Sequence, residues 1–158
     1  MSRADCLGQQ PSFAAGGPQD TLCRAKEATR VAIRVVRLGS PRMPGEGLRL
    51  GTVRRPPRGV PKAEHASRDF YDLWLPDLAP SESLVKEALH ASDERAWRGF
   101  TKRYRAEMKR PEATRLLVLL AALSHQTNLS VGCYCSEEAR CHRSVLKALL
   151  LECGANLA

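Results

Sequence analysis

The order of hydrophobic periods along this chain constrains its fold more than any other feature. A period of two over Thr29–Leu38 gives way, through loops and short extended runs, to spacings of three and four between Ser81 and Leu123. The chain returns to an extended run at Asn128–Cys135 and then turns into a last helical segment at Cys141–Leu151. Strands that flank a helical stretch must bury a sheet face against those helices. The pattern therefore predicts an α/β layered domain, with a small central sheet and flanking helices.

In the first run Val31, Ile33 and Val35 share one face, while Arg30, Arg34 and Arg37 interrupt the other. Pro41, Pro44, Gly45 and Gly47 make residues 39–47 a loop, and Leu48–Val53 reads as a second strand. Arg54-Arg55-Pro56-Pro57-Arg58-Gly59 cannot extend it, because two prolines remove ladder donors. Phe70–Leu75 predicts a third strand, ended by Pro76 and Pro80. Ser81 and Ser83 are candidate N-caps for a helix reaching about His90, and Ser92 or Asp93 for a longer one. Trp97, Phe100, Tyr104 and Met108 form one apolar stripe on that second helix. Pro111 restarts the chain as a first-turn proline, and Leu116–Leu123 is a strongly apolar third helix. In the last helix Val145, Leu146, Leu149 and Leu150 face the core. Trp74 and Trp97 read as core residues, and Asp77 and Ser81 as a turn and a cap.

Residues 1–28 are rich in Gly, Pro, Gln, Ser and Ala and carry no hydrophobic period. They predict a disordered extension ahead of one domain over residues 29–158. No apolar run approaches the roughly 20 residues that span a bilayer, so no membrane partner is expected. The chain does not open on a basic segment followed by an apolar one, and a cytoplasmic location is the expectation.

The net charge of +8 is unevenly spread. Residues 24–68 hold 12 Lys and Arg against Glu27, Glu46 and Glu64, a net of +9, whereas residues 69–158 hold 12 of each sign. A basic half on a neutral body suits phosphates or nucleic acid. A merely soluble basic face accounts for it equally well, since no stacking aromatics interleave with the cations.

Of the six cysteines, Cys6, Cys23 and Cys153 are scattered, and Cys153 reads as a packing or surface thiol. The others crowd into Cys133-Tyr134-Cys135 and Cys141-His142-Arg143. In a reducing compartment such a cluster reads as metal-binding or reactive rather than disulfide-forming. Residues two apart in a strand share a face, so Cys133 and Cys135 point the same way. The chain then turns into a helix whose first turn carries Cys141, His142 and Arg143, beside the carboxyl end of a strand, the usual ligand position in open α/β sheets. Three chemistries fit. Cys133, Cys135, Cys141 and His142 offer a zinc-type Cys3His set, although C-x-C-x5-C-H is not a usual knuckle spacing. A thiolate from Cys133 or Cys135 with His142 offers a nucleophile and its acid–base partner. His142, Arg143 and helix N–H groups offer an anion-binding corner, with the thiols only packing. The plain alternative is that the thiols are small buried hydrophobes.

These residues also carry a resemblance. The chain resembles the YeaO-like family, domain of unknown function 488, over roughly residues 30–152. Arg54 with Pro57-Arg58-Gly59 resembles the family's R-x-W-P-R-G segment. Asp72 through Ser81 resembles its D-x-W-L-K-D-L-A-P-S segment, and Trp97, Phe100 and Arg103–Glu107 its W-x2-F-x2-R-Y-R-x-E helix. Cys133-Tyr134 and Cys141-His142-Arg143 are similar to the C-H-R version of one branch. Arg55-Pro56 departs from the family's apolar residue and tryptophan, and Cys135 stands where relatives commonly carry another residue. The resemblance implies an α/β layered fold, no established reaction, and convergence of Arg54, Arg58, Tyr104, Cys133, His142 and Arg143. Together these readings predict a basic pocket for a phosphate-bearing small molecule or nucleic-acid element. Arg54, Arg58 and Arg143 would bind the anion, and Cys133 and His142 would do the chemistry. A nucleic-acid-binding module and a zinc-stabilised module are the other expectations.

Overall fold

Four parallel strands form the central sheet: β1 (Ile33–Arg37), β2 (Leu48–Gly51), β3 (Leu73–Trp74) and β4 (Leu129–Cys133), in the spatial order β1-β4-β2-β3. The computed structural model describes residues 31–91 and 93–158. Four helices complete the layers: α1 (Glu82–His90), α2 (Glu94–Glu107), α3 (Pro111–Leu123) and α4 (His142–Glu152). The expected α/β layered architecture is the one observed. The expected extension over residues 1–28, the start of the first run at Thr29 and Arg30, and the alternative cap Ser92 lie outside the described residues.

The central strand β4 is buried along its whole length, as a strand covered on both faces must be. Its alternation divides the two covers. Leu129 and Val131 join Ile33, Leu50, Phe100, Tyr104, Leu117, Leu146 and Leu150 in the main core against the helices. Ser130 faces the other way and donates to Glu46 Oε1 at 2.7 Å. That second cover is the loop between β1 and β2, where Glu46 also takes two bonds from the buried Arg49. Gly47 sits in this loop at φ +78°, and a Cβ there would lie 1.9 Å from the Asn128 carbonyl oxygen, so no other residue fits.

The helix starts follow from local chemistry. Ser81 Oγ accepts the Leu84 N–H, and Asp93 Oδ1 accepts the Ala96 N–H. Pro111 occupies the first turn of α3. Phe100, Tyr104 and Met108 of the α2 stripe are buried, and Trp97 packs half-buried at its start.

Three expectations change. The third strand is only Leu73–Trp74, because Asp72 turns its carboxylate back to the Arg49 N–H and Pro76 blocks further pairing. Trp74 is not a core residue: it is 42 % exposed on this edge strand, and its indole N–H donates to the Val53 carbonyl. The last strand ends at Cys133, not Cys135. Among the described residues no helix is long and apolar enough to cross a membrane.

Candidate functional site

The carboxyl ends of parallel β2 and β4 open between the loops that follow them, 52–58 and 134–141. A cavity of about 650 Å³ lies there, closed on its far side by α1. Its floor carries Cys133, Cys135, Cys141 and His142, and its walls include Val53, Phe70, Pro80, Val85, Leu89 and Tyr134. Arg54, Arg55, Arg58, Lys86 and Arg140 are the cations that line it, against one acid, Glu82.

The three thiols form a triad whose sulfurs all lie within 4.8 Å of one another. Cys133 and Cys135 are 3.7 Å apart. Had the strand continued, residues two apart would be separated by roughly 6.6 Å. The bend after Cys133 is what brings these sulfurs together. Cys133 and Cys141 are buried and Cys135 is exposed. Their surroundings shift the three thiols in different directions. Hydrogen bonds to Cys135 and Cys141, reinforced by burial, push the Cys133 thiol up. Bonds from Cys133 and Cys141 pull Cys135 down against its desolvation, with help from the Arg143 charge. The bond from Cys133 likewise lowers Cys141, opposed by Cys135 and by burial and aided by His142.

His142 is held from three sides. Its Nε2 lies 2.8 Å from the Thr52 carbonyl, which can only accept, so Nε2 carries a proton. Its Nδ1 lies 3.7 Å from Cys141 Sγ. The Tyr104 ring meets it edge-on at 5.7 Å between centroids. The residue preceding His142, rather than Cys133, is therefore its thiol neighbour. Thr52, and the pairing of Cys141 with His142, escaped the sequence reading for the same reason. Each residue acts through one atom aimed at His142, and no spacing rule reports that.

The remaining candidates divide. Arg54 lines the cavity while donating from Nε and Nη2 to the Pro80 and Ala79 carbonyls, 2.9 and 2.8 Å away. Arg58 also lines it, exposed and in no ion pair among the described residues. Tyr104 is fully buried beneath the site, and its hydroxyl donates to the Leu78 carbonyl at 2.6 Å. Burial raises its pKa well above the ordinary tyrosine value. Arg143 is buried beside the triad, and its Nη2 donates to the Cys135 carbonyl at 2.7 Å. Neither Tyr104 nor Arg143 lines the cavity. Arg55, Lys86 and Arg140 were not singled out in the sequence. Lys86 lines the cavity from α1, the helix that closes it. Arg55 pairs with Glu82 at 3.0 Å, and Arg140 with Glu94 at 3.2 Å.

A parallel α/β sheet with a thiol-floored, cation-rimmed cavity at its carboxyl edge is thus the class of protein defined here. The chain belongs to the domain of unknown function 488 group: the family model DUF488-N3a, described as the active DUF488-N3 subclade, matches residues 33–154. The resemblance to YeaO-like proteins is borne out by that match. No curated protein and no solved structure matches the chain.

Proposed function

We propose that the protein binds a phosphate-bearing small molecule of the nucleotide class in this cavity. The carrying observation is the pairing of an apolar wall, large enough for a planar base, with several cations around one opening. Cavities of this size accommodate ligands of nucleotide dimensions. Arg54 and Arg58 take the phosphate, with Lys86 as an additional cation. The thiols and His142 on the floor are the groups that carry any chemistry, and the description of the matching subclade as active accords with such a role. Tyr104 and Arg143 support that floor rather than touch the ligand. A zinc-stabilised structural module has less support. Structural zinc sites are closed by four protein ligands, whereas this triad opens onto the cavity.

The test is calorimetric titration with nucleoside diphosphates and their matched nucleosides. At least one diphosphate is expected to bind, and its nucleoside at least about tenfold more weakly, the worth of one charge-assisted contact. Equal affinity for both, or no binding by any diphosphate, refutes the reading.

A further inference from the structure

We infer that Cys133, Cys135 and Cys141 hold one thiophilic cation of the zinc class, with its fourth coordination position open to the cavity. A tetrahedral ion with metal–sulfur bonds of about 2.3 Å sets its sulfur ligands about 3.8 Å apart. The Cys133 and Cys135 sulfurs are 3.7 Å apart, and Cys141 Sγ completes a triangle with every side within 4.8 Å. The chain thus holds three thiols near coordination distance before any ion is bound. Three soft sulfur ligands select zinc-class ions and discriminate against magnesium and calcium, which take oxygen.

No fourth ligand comes from the described residues. Among the described residues no histidine or carboxylate belongs to the group of ligand atoms around the triad. His142 is turned so that Nε2 serves the Thr52 carbonyl, and its Nδ1 contacts the Cys141 sulfur rather than sharing the triad's centre. This replaces the four-ligand Cys3His set with a three-thiol set. All three cysteines line the cavity, so the open position faces the ligand space. Open positions of this kind are the mark of catalytic rather than structural zinc.

Charge supplies an independent argument. Arg143 is 2 % exposed, its Nε has no hydrogen-bond partner, and it forms no ion pair among the described residues. A buried cation without a counter-ion is costly. Its one bond, from Nη2, goes to the backbone carbonyl of Cys135, a member of the triad. Three thiolates around a divalent ion leave one net negative charge at this position. The centre therefore supplies the counter-ion that no carboxylate provides. The identity of the fourth ligand, a phosphate oxygen, rests on the nucleotide reading, but the ion itself does not.

The test is Co(II) titration of the reduced, chelator-treated full chain, followed by thiolate-to-cobalt charge-transfer absorbance. Saturation is expected at one Co(II) per chain, with displacement by zinc. Cys135→Ser, at the exposed member of the triad, should weaken Co(II) binding by more than about a hundredfold, beyond the 10–100-fold cost of outer contacts, with an unchanged circular dichroism spectrum. Cys153→Ser should change nothing, and His142→Ala should keep a tetrahedral three-sulfur spectrum. Inorganic phosphate should shift the ligand-field bands of the wild-type complex. Absence of charge transfer in excess Co(II), or wild-type affinity in Cys135→Ser, overturns the site. Loss of the ion in His142→Ala, or bands indifferent to phosphate, overturns the open position. Co(II) uptake without nucleotide affinity removes only the nucleotide reading, and nucleotide affinity without Co(II) uptake removes only the ion.

Discussion

Arg54 and Arg58 stand four residues apart in one loop and do different work. Arg58 is exposed and in no ion pair among the described residues, so its charge is available to a ligand and contributes little to the fold. Arg54 spends two donors on the carbonyls of Ala79 and Pro80, both buried residues. Arg58→Ala should therefore weaken diphosphate binding about tenfold and leave the thermal midpoint in place. Arg54→Ala should weaken binding and also cost about 1–3 kcal/mol of stability, because two carbonyls lose their donors. Paired calorimetry and thermal unfolding of both variants check this; a destabilised Arg58→Ala protein would reverse the assignment. The sequence identified both arginines but could not separate their roles, since the distinction depends on carbonyls about 25 residues away. The cluster shows the same limit. Its members were legible from composition and spacing alone. The 3.7 Å contact between Cys133 and Cys135 was not, because it needs the strand to stop two residues earlier than its pattern suggests.

Among the elements, the connection from β1 to β2, the parallel strands on either side of β4, is unusually short. Such pairs are commonly joined by a crossover of a dozen residues or more, most often a helix. Here residues 38–47 make the connection as a loop, and a buried polar network replaces helix packing. Glu46 accepts from Arg49, Ser130 and the Met43 N–H, while Arg49 also donates to the Ser40 and Asp69 carbonyls. Burial works against ionisation of Glu46, yet the bonds from Arg49 and Ser130 prevail and hold its pKa at about 2. The group thus stabilises the fold in full above its ordinary value of 4.5. That contribution declines as the pH falls and is exhausted once the pH passes below about 2. Glu46→Gln should cost about 3–5 kcal/mol at neutral pH by leaving Arg49 buried and unpaired. It should also flatten the loss of stability in acid. Urea unfolding of both proteins between pH 7 and pH 2 checks the sign, and parallel acid profiles would reject it. Helix starts were legible here because caps are local, as at Ser81 and Asp93. The loop network was not, because its acceptor and one of its donors, Glu46 and Ser130, are 84 residues apart.

At the scale of the whole molecule, four of the nine cations of the basic stretch among the described residues are held in ion pairs. Arg49 is buried against Glu46, and Arg42 binds Asp72 and Asp69. Arg55 binds Glu82, and Arg68 binds Glu64. Asp69, Asp72 and Glu82 lie outside the basic stretch, so those pairs need the fold, whereas Glu46 and Glu64 lie three and four residues from their partners. The cations left around the cavity without ion pairs among the described residues are Arg54, Arg58 and Lys86. They line one opening. Each phosphate contact on duplex DNA contributes about −0.9 to the slope of log affinity against log salt. A protein that grips nucleic acid along a basic face makes many such contacts, and its slope steepens with oligonucleotide length. A single ringed cavity engages one or two phosphates whatever the length of the chain attached to them. Anisotropy titrations from a 4-mer to a 20-mer across a range of salt should therefore give a slope near −2 that does not grow with length. A slope beyond about −5 for the longer strands would mean that the phosphates run across the protein's surface and that the cavity is not where they bind.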